Sequence, residues 1–374
     1  MSHRSFIRRV APALVGVFCF TLAASAQTGP VPRTADGHPD MDGTWTNVTI
    51  TPLERPKEFA NKEFFTPAEA LVYEKETRTK RNRDQRQRGT VADVTNAYND
   101  FWWDSGTKVV KTLRTSMVID PPDGRIPPMT PEAQKRQAAR VAEERAAGPL
   151  ARTWRDDRGT VWCVFHDRAV PAVIAPYGSN YQIVQSKDQM VMIYEWNSEH
   201  RVIPLDGRPH GTIPTYIGDS RGHWEGDTLV VETINFTTKR TFLGSPGMPP
   251  AVAMMPTFKL TERFTRTADD TSVHTYTVED PATWTRPWTV EMPMHRIKGP
   301  MLEYACNENN VDAFTTLRNA RAQEAGKLAP PDRVRNVGDA KATVLQREEK
   351  GSGEAGKAGQ AGGAGKAGEA GAPK

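Results

Sequence analysis

The residues best equipped for chemistry fall in two short polar stretches. Asp206-Gly207-Arg208-Pro209-His210 and Gly218-Asp219-Ser220-Arg221-Gly222 read as loops between strands, and His223 follows the second. Loops on a rigid β scaffold are where binding and catalytic groups are usually built. Arg208, His210, Asp219, Arg221 and His223 bring charge and titratable groups to these two loops. A guanidinium grips a carboxylate through two parallel hydrogen bonds, so Arg208 and Arg221 point to an anionic ligand group. Ordinary turn chemistry accounts for each loop taken singly, and we favour it there. Any ligand site is expected at one end or face of the β region, with the two loops close together. Glu232 ends the apolar run Leu229-Val230-Val231 and points opposite to Val231. Facing inward it is a buried carboxylate and a candidate acid or base; facing outward it is a solvated strand residue.

The aromatic run Trp284-Thr285-Arg286-Pro287-Trp288 is the most specific local feature. Side chains alternate along a strand, so Trp284, Arg286 and Trp288 are expected on one face. A guanidinium between two indoles can stack on both, making a platform for a sugar or aromatic ring. The alternative, favoured here because of Pro287, is a ladder stiffening an edge strand. His166 follows Cys163 closely, and His200, His210 and His223 are scattered, which is weak grounds for a metal site. Asp36, Asp40 and Asp42 around His38 lack calcium-loop spacing and read as turn residues bonding to their own backbone. The chain has no G-x-S-x-G elbow, H-E-x-x-H, P-loop or paired C-x-x-C. No metal and no cofactor is therefore expected, and whether the protein is an enzyme stays open.

These residues need elements to position them. Thr66-Pro67-Ala68-Glu69 puts Thr at an N-cap, Pro at the first helical position and Glu where it completes a capping box, predicting a helix to about Arg81. Thr130-Pro131-Glu132 opens a second helix, to about Ala146, and a third is expected over Val311–Glu324. Val109 to Asp120 reads as a strand. From residue 160 to 300 strand follows strand: Tyr181–Gln185, Met190–Trp196, Thr228–Thr233, Leu260–Arg266, Ser272–Glu279 and Trp284–Met294, several joined by tight turns. The predicted fold is mainly β, an antiparallel meander closing as a barrel or sandwich, with two or three peripheral helices. Four regions are expected: 1–26, a signal peptide; 27–150, extended and helical with one or more strands; 151–326, the antiparallel region and last helix; and 327–374, a linker and tail. From Gly353 to Gly371 every third residue is glycine. With a single proline, that collagen-like period is read as a solvated tail.

Arg4, Arg8 and Arg9, the apolar stretch from Val10 to Leu22, and Ala24-Ser25-Ala26 form the three parts of a secretory signal. Cleavage after Ala26 would leave 46 basic against 45 acidic residues, too even a balance to point to nucleic acid. The stretch is too short to span a bilayer, and nothing later is apolar enough. Periplasmic or secreted localisation follows. Cys19 leaves with the signal, and the remaining Cys163 and Cys306 are expected to pair in an oxidising compartment.

The chain resembles a large group of uncharacterised exported bacterial proteins. The matching segments are Asp36-Gly37-His38-Pro39-Asp40, Asp120 through Pro127, Pro204 through His210, Gly218 through Asp227, Val278 through Trp288, and Glu303 through Cys306. The resemblance implies a shared fold and export and brings no activity with it. After the cysteine this chain has Asn307-Glu308-Asn309 where the group tends to have histidine and glycine. The leading expectation is a binder of a small, partly apolar or anionic ligand. The alternatives are a hydrolase or lyase acting on a carbohydrate or aromatic compound through Glu232 or Asp219 with His210 or Arg221, and an envelope structural or interaction protein. A carboxylate and a histidine converging would favour the enzyme.

Overall fold

A computed structural model describes residues 30–82, 84, 104, 106–147, 170–171, 178–243, 251–306, 308 and 311–327. The expected signal peptide, Cys163 with His166, and the glycine-triplet tail lie outside the described residues. In chain order the elements are β1 (Gly43–Thr46), α1 (Pro67–Arg81), β2 (Val118–Asp120), α2 (Pro131–Ala147), β3 (Asn180–Gln185), β4 (Gln189–Tyr194), β5 (His200–Pro204), β6 (Asp219–Glu225), β7 (Thr228–Ile234), β8 (Thr241–Phe242), β9 (Val252–Ala253), β10 (Lys259–Arg266), β11 (Thr271–Glu279), β12 (Trp288–Arg296) and α3 (Val311–Glu324). No described helix is long and apolar enough to cross a membrane.

Nine strands follow one another in the order β5-β4-β3-β1-β12-β11-β10-β7-β6, each antiparallel to the next, while β2 pairs with the first residues of β12 and β1 with its last. Consecutive strands of the long region are neighbours, which is the meander, and β1 is inserted between its two ends. Period-two patterning sets the register. In β11, Ser272, His274, Tyr276 and Val278 point inward and are buried, while Thr271, Val273, Thr275 and Thr277 alternate with them. The path curls until β5 and β6 lie side by side: Arg201 Nε donates to Ser220 Oγ at 2.8 Å across the seam, and a Cβ on Gly222 would come within 2.7 Å of Leu205. The outcome is a nearly closed barrel rather than a sandwich. Eight antiparallel steps separate β5 from β6, so the two run in the same direction. No backbone ladder joins them among the described residues, and residues 205–218 must travel back along the wall to connect them.

Both ends are stoppered. At one, Phe236, Phe242, Phe258, Trp284 and Trp288 pack at ring separations of 5.2–6.4 Å, mostly edge to face. Buried aromatics of this size contribute about 1.5–3 kcal/mol each. At the other, His38 stacks on Trp224 at 4.6 Å, and the Arg266 guanidinium donates to the carbonyls of Asp40 and Asp269. A smaller cluster of Ile50, Phe65, Ala70 and Val109 seats α1. That helix starts as expected, with the Thr66 and Glu69 side chains bonding reciprocally to each other's backbone.

Three expectations need correction. Of Val109–Asp120 only Val118–Asp120 is strand, because Leu113 turns with φ 60° and the neighbouring backbone bonds to loops: Phe65 N to Leu113 O and Thr115 N to Glu63 O. The last strand starts at Trp288, since residues 281–287 form a turn closed by Thr283 N and Trp284 N on Asp280 O. The stretch from Asp219 is a strand, β6, rather than a loop. Its outward residues Asp219, Arg221, His223 and Glu225 are polar and its inward residues before Trp224, Ser220 and Gly222, are small, so the apolar alternation that betrays a strand is missing until its end.

Candidate functional site

The segment linking β5 to β6 lies as a strap on the outer wall, and it brings the two polar stretches together. Gly211 N donates to Asp219 Oδ2 at 2.6 Å, and Arg221 Nε donates to the carbonyls of Arg208 and Pro209 at 3.2 and 3.0 Å. Asn235 Nδ2 holds Gly211 O at 2.6 Å. His210 sits between two carboxylates, its Nδ1 3.1 Å from Asp219 Oδ2 and its Nε2 3.5 Å from Glu232 Oε1. Arg221 Nη1 fixes the other oxygen of Asp219 at 2.5 Å, and Lys259 Nζ pairs with Glu232.

Asp219 and Glu232 are both held below the usual carboxylate range. At Asp219 partial burial works the other way but is outweighed by the Gly211 N–H, Arg221 and His210; at Glu232 the Lys259 ammonium is the main cause. Glu232 thus faces outward, the solvated alternative. Arg208 is engaged by Asp206, with Nε 2.8 Å from Oδ2, and His223 is exposed, 3.3 Å from Glu225. Every cation of this patch already has a carboxylate partner, so it offers no uncompensated charge to an anion.

The aromatic run divides. Trp284 and Trp288 are buried, their rings 5.6 Å apart at 76° in the barrel stopper. Arg286 is not between them; it is exposed and donates through Nη2 to both oxygens of Asp120, at 2.8 and 2.9 Å. The turn at 281–287 breaks the strand alternation that would have aligned the three, so they form no ligand platform.

Two constellations escape the sequence reading. Inside the barrel, Arg201 Nη2 donates to Glu262 Oε2 at 2.5 Å and to Thr233 Oγ1 at 2.6 Å, and His274 Nε2 lies 3.1 Å from Glu262 Oε1. All three side chains are almost fully buried. Burial would raise the Glu262 pKa, but Arg201 and His274 beside it bring it down to about 2. The signal was present as a carboxylate on the apolar face of β10, between Leu260 and Phe264. The second constellation is a shallow surface groove between α2 and the β8–β9 side of the barrel. Met129, Ala133 and Val252 supply apolar lining, with Arg136, Gln137, Arg140, Ala253 and Thr283. Arg136 Nη2 donates to Ala282 O at 2.6 Å, and Gln137 Nε2 and Arg140 Nη2 donate to Ala251 O. Arg136 and Arg140, spaced i,i+4, share a helix face, and that spacing is the sequence signal for the groove.

Cys306 is disulfide-bonded; the partner lies outside the described residues. Among the described residues no three His, Cys, Asp or Glu side chains group as a metal ion would require.

Fold and sites define a nearly closed antiparallel barrel with a packed, partly polar interior, an ion-pair network on its outer wall and a cationic groove beside α2. Compared with known proteins, the chain matches no family model, no curated protein and no solved structure.

Proposed function

We propose that this protein is an exported binder of a small, partly apolar anion, held in the groove between α2 and the barrel. The observation that carries this reading is the charge of the lining: two arginines and no acidic side chain around an apolar floor. Ligand sites pair mostly apolar walls with a few placed polar groups, and guanidinium edges already resting on backbone carbonyls are preorganised, which lowers the entropy cost of binding. Export rests on the signal-like N-terminus and the resemblance to exported bacterial proteins. Pairing of Cys306 with Cys163 belongs to the same proposal.

Hexanoate and benzoate are the probes, with hexanol and benzyl alcohol as neutral counterparts. Calorimetry and thermal shift should detect the carboxylates and not the alcohols. Arg136→Gln and Arg140→Gln keep a donor for the carbonyls while removing charge, and together they should weaken carboxylate binding at least tenfold with the fold retained. Equal binding by acids and alcohols, or by parent and double variant, would overturn the reading.

A further inference from the structure

We propose that Arg55 anchors a second anion site, outside the groove, that takes the carboxylate of a small monoacid beside the turn at Pro121–Gly124. Four described arginines are buried: Arg55, Arg201, Arg240 and Arg266. A buried guanidinium is tolerated when its charge and its donors are met. Arg201 has Glu262, Arg240 Nη1 donates to Tyr216 O at 2.7 Å, and Arg266 donates to the carbonyls of Ala268, Asp40 and Asp269. Arg55 differs from all three. Its Nε is sealed from solvent without an acceptor, and among the described residues its guanidinium makes no hydrogen bond and no ion pair. The acidic side chains of the two segments that meet here bond to backbone instead: Glu54 Oε1 accepts the Ile126 N–H and Asp123 Oδ1 the Arg125 N–H, each at 3.0 Å.

The turn makes room for this charge. Gly124 N–H closes it on Pro121 O at 3.0 Å, and Gly124 O accepts the Arg55 N–H at 2.8 Å. Gly124 has φ +72°, and a Cβ there would collide with Ser116 Oγ and stand 2.9 Å from Arg55 Nε. Glycine at this position is what lets the Arg55 side chain lie against the turn. Nη1 and Nη2, unlike Nε, are not sealed, so they form the edge that a ligand can reach. Their planar fork matches the two oxygens of a carboxylate. Few waters compete at a side chain whose residue is only 5% exposed, which strengthens the pairing. One uncompensated positive charge selects a monoanion.

Acetate is the probe, with acetamide as its neutral isostere and chloride at equal ionic strength. Thermal shift and calorimetry are run in the Arg136→Gln/Arg140→Gln background, so that groove binding does not contribute and the two sites fail or succeed separately. Acetate should raise the melting temperature saturably, and acetamide and chloride should not. Adding Arg55→Met should weaken acetate binding at least about tenfold, as expected for a charge pair with two hydrogen bonds. Without acetate that variant should melt no lower than its background, because it removes an uncompensated buried charge. In the parent, the Arg55 side-chain ¹⁵N signals should shift with acetate and saturate. An acetate response equal with and without Arg55, or matched by acetamide, overturns the proposal. So do a lower melting temperature of Arg55→Met in acetate-free buffer, which would show a partner within the protein, and Arg55 signals that stay still through the titration. That last measurement decides even if the variant fails to fold.

Discussion

A buried ion pair is a balance between desolvation and Coulomb attraction, and the barrel interior holds one. Arg201 and Glu262 bridge the lumen, and Ser220, Thr233 and His274 add hydrogen bonds to them. Removing one member strands the other. Arg201→Met should cost about 3–5 kcal/mol in urea unfolding, and adding Glu262→Gln should recover part of the loss, because a neutral amide is cheaper to bury than an unpaired carboxylate. The pH dependence has a definite sign. The Glu262 pKa falls from 4.5 to about 2 on folding, so its contribution is complete above 4.5 and is lost as pH drops towards 2. Asp219 and Glu232, also depressed, act in the same direction. Glu262→Gln should flatten the acid limb of the stability curve; an unchanged limb would exclude Glu262 as its origin. The alternation Leu260-x-Glu262-x-Phe264 marked the carboxylate as inward. That Arg201 meets it could not be read, since 61 residues separate the two.

At the scale of elements, legibility followed local rules. The helices at 67 and 131 declared themselves through caps and proline, signals that act within a single turn. β6 was hidden because its first inward positions are Ser220 and Gly222, suited to crowding at the seam rather than to apolarity, and only Trp224 follows them inward. A Cβ at Gly222 would stand 2.7 Å from Leu205 and 3.0 Å from Ile203. Gly222→Val should therefore cost about 1–3 kcal/mol by overpacking, measured by urea titration. A neutral substitution would mean that β5 and β6 are not in contact. The strap depends on the same strand: without β6 in place, Asp219 and Arg221 would not present the groups that hold residues 208–211.

At the scale of the molecule, the seam and the proposed Cys163–Cys306 disulfide are the long-range devices. The segment ending in Cys306 is seated by Tyr304, whose ring centroid lies 4.4 Å from that of Trp196 beyond β4. Closing a loop from Cys163 to Cys306 would remove unfolded-state entropy worth roughly 4–5 kcal/mol at most in the chain-entropy model. Cys163→Ser should thus lower stability and release one free thiol at Cys306, counted by thiol titration before and after reduction. Cys306 remaining bonded in that variant would show a different partner.

Sequence alone determined what short-range chemistry dictates: helix starts, hairpin turns, alternating faces and a mainly antiparallel β fold. Each depends on residues within a few positions of one another. The tertiary structure decided how the sheet closed and what met across it. Nine strands in strict alternation leave β5 and β6 pointing the same way, so the link between them had to run back over the wall. That return sets His210 against Asp219 and Glu232. The same closure turned Trp284 and Trp288 into a stopper and brought α2 against the β8–β9 side to shape the groove. Closure depends on the number and stagger of all the strands at once, a property no local window of residues contains.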